Sequence, residues 1–98
     1  MEARIREEMF NLGILSSKRG YIYIIEAVKR FGNFTSMENI YNSIAKATNR
    51  SPASIERSIR TAIKSANHDL SAWKNYDCLT TRGFITTMYY RCKESANE

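Results

Sequence analysis

Apolar residues recur along most of this chain at the three- and four-residue spacing of α-helices. Apart from the short segment 21–24, no clear run of alternating apolar and polar residues indicates a strand. The pattern therefore predicts one all-α domain over residues 1–98, in which about six helical pieces share a single core.

The first two predicted helices each end at a glycine. Residues 2–12 carry an apolar stripe, and Gly13 follows as a left-handed stop. Residues 17–31 place five apolar side chains on one face before Gly32. The β-branched residues of this second segment favour a strand locally, but its length and helical spacing favour a helix.

A third and a fourth helix are predicted close together. Residues 35–38 have the form of a capping box, which predicts a helix start there. Asn49 tolerates the left-handed conformation that a tight turn demands. Ser51 is a good N-cap, and Pro52 fits the first helical position, where its missing N–H costs nothing. The fourth helix is therefore expected over residues 52–66.

The C-terminal third is predicted to hold a loop and a last helix. Residues 67–79 have the pattern of a loop with one helical turn anchored by Leu70 and Trp73, and Thr81 is expected to cap a helix over 82–94. The side chains expected in the core of the whole domain are Ile5, Met9, Leu12, Tyr21, Ile24, Ile25, Val28, Phe31, Met37, Ile40, Tyr41, Ile44, Ala45, Ile55, Ile59, Ala62, Ile63, Ala66, Phe84, Ile85, Met88 and Cys92.

Composition restricts the class of protein further. The chain has 98 residues, 43% of them hydrophobic and 26% charged, which is typical of one small soluble domain. Four glycines and one proline exclude low-complexity and collagen-like classes. The longest apolar stretch has five residues, so neither a membrane span nor a signal peptide is expected.

The inventory of reactive side chains argues against an enzyme. Cys78, Cys92 and His68 cannot supply four clustered ligands for zinc, and both cysteines are interpreted as small buried hydrophobes in a reducing cytoplasm. The chain has no nucleophile motif, no paired carboxylates at a plausible spacing and no glycine-rich phosphate loop. We therefore expect no catalytic residue, no metal, no cofactor and no small-molecule ligand.

The spacing of the third and fourth helices is that of a helix-turn-helix, in which three or four residues hold two helices at a steep angle. Ile44 and Ala45 supply an apolar residue and a small residue that lets the next helix approach. Asn49 stands where the turn glycine usually stands, and Ile55 and Ile59 face back into the core. The sequence therefore predicts a helix-turn-helix over about residues 37–66.

The outward face of the fourth helix carries long hydrogen-bond donors. Arg57 and Arg60 offer the planar fork that pairs with O6 and N7 of guanine in the major groove. Glu56, at the flank of this face, could accept from a cytosine amino group or pair with Arg60, and the sequence leaves both open. The residues expected to hold the DNA backbone are Lys46, Arg50, Ser54, Thr61, Lys64 and, at the start of the second helix, Arg19 or its neighbour Lys18.

The positive charge of the chain is concentrated in the same unit. Residues 37–66 carry five basic and two acidic groups, which gives +3 of the total +5, while residues 67–98 are neutral. Such a face attracts phosphates and makes binding depend on salt. Basic residues opposite an apolar stripe also occur on amphipathic helices whose polar face is only solvated. The turn spacing, the Ile-Ala pair and the N-cap in register favour DNA binding here.

These residues resemble the DNA-binding effector domain of the master sporulation response regulator of endospore-forming bacteria. The most specific shared segment is Glu-Arg-x-Ile-Arg-x-Ala-Ile at residues 56–63. The remaining agreement follows ordinary helical patterning over most of the chain. It comprises Gly20, Tyr21, Tyr23, Glu26, Ala27, Tyr41, Ile44, Ala45, Lys46, Asn49, Ala66, Phe84, Ile85 and Met88.

The resemblance implies a six-helix domain that inserts its recognition helix into the major groove of a TGTCGAA-type box, often as head-to-tail pairs on tandem boxes. The family's base-reading positions fall on Glu56, Arg57 and Arg60. Thr61 stands where the family has a phosphate-contacting histidine, and the segment before the last helix is shorter and lacks the family's lysine-bearing loop. The expected partners are double-stranded DNA, a second copy on tandem sites and RNA polymerase.

Family members carry a phosphorylatable receiver domain ahead of this one, and the residues before Gly20 are too few to form it. The acidic opening at 2–8 favours a stand-alone homologue over an excised domain. The leading hypothesis is a sequence-specific, double-stranded DNA-binding transcription regulator. The second hypothesis is an adaptor of the same fold that binds an acidic partner, because Trp73, Tyr89 and Tyr90 are residue types favoured in interfaces.

Overall fold

The computed structural model describes residues 1–34, 36–66 and 80–96, with side chains as far as residue 93. The predicted all-α class is confirmed in these ranges, where every regular element is a helix. The helical turn predicted around Leu70 and Trp73, together with His68 and Cys78, lies outside the described residues. The helices are α1 (Glu2–Leu12), α2 (Arg19–Phe31), α3 (Met37–Thr48), α4 (Pro52–Lys64) and α5 (Thr81–Ala96).

Two helices, α3 and α5, are capped by residues other than those that the sequence predicted. The cap of α3 is Ser36, whose Oγ accepts a hydrogen bond from the backbone N–H of Asn39 at 3.2 Å, so the capping box predicted over 35–38 is wrong by one residue. The cap of α5 is Thr80, because its Oγ1 accepts from the N–H of Gly83 at 2.9 Å. Thr81 is thus the first helical residue and not the cap. In both cases the hydroxyl that reaches an N–H three residues ahead fixes the start.

The remaining ends follow the predictions closely. Gly13 and Asn49 adopt the left-handed conformation, with φ of 76° and 57°, as predicted. The second helix begins at Arg19, two residues later than expected, after Lys18, which makes no side-chain capping bond. The fourth helix ends at Lys64, two residues early, because the N–H of Ser65 already bonds the carbonyls of Thr61 and Ala62 in a tightened last turn.

The core forms around α2, which contacts each of the other four helices. Seventeen of the residues expected in the core are buried, including Phe84, Ile85, Met88 and Cys92 of α5, which are fully inaccessible. The others are only partly buried, and all except Tyr41 lie within two residues of a helix end, where fewer side chains cover them. These partly buried residues are Phe31, Met37, Tyr41, Ile63 and Ala66.

The approach of α2 to α4 depends on Gly20. A Cβ at this position would lie 2.1 Å from the carbonyl oxygen of Ser58 and 2.8 Å from Cβ of Ala62. Because such distances are far inside van der Waals contact, only glycine lets the start of α2 rest on the backbone of α4. This contact fixes the position of α4 from behind and brings the first residues of α2 beside its exposed face.

A buried carboxylate joins the first and last helices. Glu8 is only 4% exposed, and it accepts from Arg4 at 2.8 Å and from Arg91 at 3.3 Å. Burying a charge is costly unless it is paired and hydrogen-bonded, so the two guanidinium groups are what allow Glu8 to lie here. Among the described residues, no helix is both long and apolar enough to cross a membrane.

Candidate nucleic-acid interface

The turn between α3 and α4 holds the two helices in a fixed relation. Asn49 occupies the left-handed conformation, and the N–H of Arg50 donates to the carbonyl of Ala45 at 3.0 Å. Ser51 then caps α4, its Oγ accepting from the N–H of Ser54 at 3.1 Å, and Pro52 takes the first helical position. The hydrogen bonds that shape the turn thus join residues that are close to one another in the sequence, as in a helix-turn-helix.

The two faces of α4 are separated as the sequence predicted. Ile55, Ile59 and Ala62 are fully buried, whereas Arg57 and Arg60 are exposed on the opposite side. Because these arginines are three residues apart, they project from neighbouring positions one turn along the helix. Of the backbone-contact candidates on this helix, Thr61 and Lys64 are exposed and Ser54 is partly exposed.

The structure pairs Glu56 with Arg60, one of the two arrangements that the sequence left open. The Nη1 atom of Arg60 lies 3.3 Å from Oε2 of Glu56, and Thr81 Oγ1 donates to the same carboxylate at 3.4 Å. Half of the Arg60 side chain remains exposed, so the pair lies at the surface. In the part of the chain that the structure describes, Arg57 makes no ion pair and is exposed.

A concavity of about 400 Å³ adjoins these residues and is formed jointly by α3 and α4. Its lining includes Tyr41, which was predicted to lie in the core but is only half-buried. Burial, with a contribution from the negative charge of Glu56, raises the pKa of Tyr41 to about 12 from 10.0. The full lining is Glu38, Tyr41, Pro52, Ala53, Glu56, Arg57 and Arg60.

A second concavity, of about 180 Å³, lies between the start of α2 and α4. It brings Lys18 and Arg19 together with Arg57 and Thr61. The Gly20 contact is responsible, because it sets the first turn of α2 against the backbone of α4. Sequence reasoning suggested a phosphate contact for Lys18 or Arg19 but could not place these residues beside Arg57, since 38 positions separate Arg19 from Arg57 in the chain.

The remaining candidate backbone contacts lie at two other places. Lys46 is exposed near the C-terminus of α3, and Arg50 is exposed in the turn. Lys64 lines a concavity at the far end of α4 with Glu56, Arg60 and Thr80. The cations named from the sequence thus surround α4 at both ends, whereas Arg57 and Arg60 occupy its middle.

The adaptor hypothesis was based on three aromatic residues, of which Tyr89 and Tyr90 belong to α5. Tyr89 is half-buried, with its ring centroid 4.9 Å from that of Phe31, and Tyr90 is exposed beside it. Trp73 lies outside the described residues. Within the ranges that the structure covers, no group of three or more His, Cys, Asp or Glu side chains is arranged to hold a metal ion.

Taken together, a tight left-handed turn, a second helix buried on one side and arginines on its exposed side define a helix-turn-helix DNA-binding domain. The sequence profile of the family described as sporulation initiation factor Spo0A, C terminal, matches residues 5–80. The chain therefore belongs to this family of DNA-binding domains, which is not an enzyme family. The match begins inside α1, includes α2 to α4 and ends at Thr80, so the resemblance noted for Phe84, Ile85 and Met88 lies beyond it. A comparison with curated proteins finds no match.

Proposed function

We propose that this domain is a sequence-specific, double-stranded DNA-binding transcription regulator that places α4 in the major groove. The observation that carries the proposal is the position of Arg57 and Arg60, which are exposed in mid-helix while Ile55 and Ile59 anchor the other side. A helix held rigidly from behind can present its donors to base edges in a fixed register.

The two arginines have different roles in this proposal. Arg57, which has no carboxylate partner among the described residues, binds O6 and N7 of a guanine in the bidentate manner. Arg60 reads a second base after exchanging its contact with Glu56 for one to DNA. Glu56, released from that pair, accepts from the amino group of a cytosine on the facing strand.

The surrounding cations hold the sugar-phosphate backbone and fix the register. Lys18 and Arg19 contact one strand at the start of α2, next to Thr61, and Lys64 contacts the backbone at the other end of α4. Lys46, Arg50 and Ser54 contact phosphates beside the turn. Because Thr61 lacks a charge, the contact it makes is a hydrogen bond from a neutral hydroxyl, which is weaker than one from a cation.

The target in this proposal is a TGTCGAA-type box, and two copies of the domain bind head to tail where boxes occur in tandem. Fluorescence anisotropy with a labelled duplex tests the specificity. At about 150 mM salt, the box should bind about 10³-fold more tightly than a scrambled duplex of equal length. Affinity for both should fall steeply between about 50 and 200 mM salt. Equal affinities for the two duplexes would reject this box as the target.

Stoichiometry tests the tandem arrangement separately. Sedimentation velocity of the domain with duplexes carrying one or two boxes should show one and two bound copies, respectively. One bound copy on the two-box duplex, at concentrations that saturate the single box, would reject the head-to-tail pair without affecting the proposal for a single domain.

A further inference from the structure

The concavity between α3 and α4 has a largely apolar lining and includes Arg57 and Arg60 of the proposed DNA-binding face. Tyr41, Pro52 and Ala53 contribute carbon-rich surface, and the side chains of Pro52 and Ala53 carry neither donors nor acceptors. Both of these residues are exposed and belong to the first turn of α4. The first turn of a recognition helix is the part that reaches base edges in a helix-turn-helix complex.

The charges around this concavity argue against a phosphate as its occupant. Its lining includes two carboxylates, Glu38 and Glu56, which balance the two guanidinium groups of Arg57 and Arg60. In contrast, the concavity beside Arg19 is lined by three cations and no carboxylate. Of these two concavities, the one beside Arg19 is therefore the more favourable for a phosphate, and the α3–α4 concavity suits an uncharged group.

We propose that this concavity receives the C5-methyl group of a thymine, with Ala53 and Pro52 as the residues that recognise it. The inference rests on the proposed function, because it places α4 in the major groove, where thymine alone among the four bases presents a methyl group. Ala53 thereby acts as a specificity-determining residue beside the arginines.

The helix geometry also fixes which thymine this is. Ala53 precedes Arg57 by four residues, and a rise of about 1.5 Å per residue puts the two about 6 Å apart along α4. Where α4 lies along the groove, base pairs spaced about 3.4 Å apart place the recognised thymine one or two base pairs from the guanine that Arg57 reads.

Replacing each thymine of a bound duplex by uracil tests the proposed methyl site and does not assume a TGTCGAA-type target. The preferred duplex is first selected from a randomised pool with the intact domain. Each thymine in it is then replaced by deoxyuridine, which removes only the methyl group, and binding is measured by anisotropy. One position, within two base pairs of a guanine, should lose about three- to fivefold in affinity, as expected for one buried methyl group.

The variant Ala53→Gly links that loss to the concavity. It should bind the uracil duplex as the unaltered domain does, and should no longer distinguish thymine from uracil at the sensitive position. The matched control is Ala3→Gly, since Ala3 is the exposed second residue of α1 just as Ala53 is the exposed second residue of α4. This control should keep the full three- to fivefold discrimination, and circular dichroism should show that both variants keep the helical fold.

The outcomes separate this inference from the proposed function. A selected sequence with no uracil-sensitive thymine, or a sensitivity that Ala53→Gly leaves unchanged, would overturn the methyl site while leaving base reading by the arginines intact. Failure to enrich any sequence from the pool would overturn the proposed function and this inference with it.

Discussion

Arg60 and Glu56 form an ion pair on the solvent-facing side of α4, with Nη1 of the arginine 3.3 Å from Oε2 of the glutamate one turn before it. Half of the Arg60 side chain is exposed, and exposed pairs of this kind contribute at most about 1 kcal/mol. A contact to DNA can replace such a pair at little cost. In the proposed complex, Glu56 therefore sets how readily Arg60 turns to the DNA, and its negative charge opposes phosphates that approach this face.

Replacing Glu56 with Gln should raise affinity for DNA of any sequence. The substitution keeps the size of the side chain, removes one negative charge from the binding face and frees Arg60 for phosphates. We expect a several-fold gain in affinity for a scrambled duplex, a smaller gain for the selected duplex, and thus lower specificity. Anisotropy titrations on both duplexes measure the two changes.

The matched control is Glu7→Gln. Glu7 pairs with Arg4 at 3.1 Å on the exposed side of α1, so this variant makes the same change of net charge away from α4. It should leave specificity unaltered. A loss of specificity as large as that in the Glu56 variant would show that net charge, and not the position of Glu56, determines the effect.

Lys64→Ala should weaken binding to all sequences alike. Lys64 is exposed at the C-terminal end of α4, beyond the arginines, where the proposal assigns it to the backbone. Loss of one phosphate contact reduces the slope of log affinity against log salt by about one. The measurement is a salt series on the selected and scrambled duplexes, and an effect confined to the selected duplex would instead assign Lys64 to base reading.

The periodicity of the sequence was enough to predict the helical fold, the turn at Asn49 and the two-sided character of α4. These features arise from residues near one another in the chain: caps, a left-handed turn residue and apolar side chains three or four positions apart. For the same reason Cys92, on the apolar stripe of the last helix, was correctly interpreted as a buried hydrophobe, and it is fully inaccessible.

Features that depend on contacts between distant segments were missed. Glu8 has the appearance of a solvated charge on an amphipathic helix, and only the fold brings Arg91, 83 positions away, into contact with it. Tyr41 fits an apolar stripe, yet the concavity that leaves it half-exposed exists only between two helices. The proximity of Arg19 to Arg57 likewise depends on the contact of Gly20 with Ser58, and the spacing of residues along the chain does not predict that contact.

Gly20→Ala should destabilise the domain and weaken DNA binding together. The added Cβ would meet the carbonyl oxygen of Ser58 at 2.1 Å, and because that atom belongs to the backbone, α2 and α4 must separate. Overpacking of this kind costs about 1–3 kcal/mol. Urea denaturation followed by circular dichroism gives the change in the free energy of unfolding.

Gly32→Ala provides the comparison for that variant. Its Cβ would approach the hydroxyl of Tyr89 at 2.6 Å, which is the far end of a side chain that can rotate away. The loss should therefore be smaller than for Gly20→Ala, and DNA affinity should be retained. A larger loss of stability at Gly32 than at Gly20 would contradict the assigned importance of the α2–α4 contact.

Cys92 should be unreactive in the native domain. Burial, with a contribution from the negative charge of Glu8, raises the pKa of its thiol to about 11 from 9.0. The folded state thus favours the protonated form, and this contribution to stability is present below pH 9.0 and is lost as the pH rises towards 11. In a Cys78→Ser background, an aromatic disulfide reagent at pH 8 should modify Cys92 only after denaturant is added. Rapid modification without denaturant would contradict the buried position.

The central claim is that Arg57 reads a base, and the most direct measurement is the affinity of Arg57→Ala for the selected duplex and for a scrambled one. Loss of a bidentate guanine contact should cost about 1–3 kcal/mol on the selected duplex and relax the preference at one base pair, while binding to the scrambled duplex changes far less. Equal losses on the two duplexes would show that Arg57 contacts only phosphates and would contradict the account.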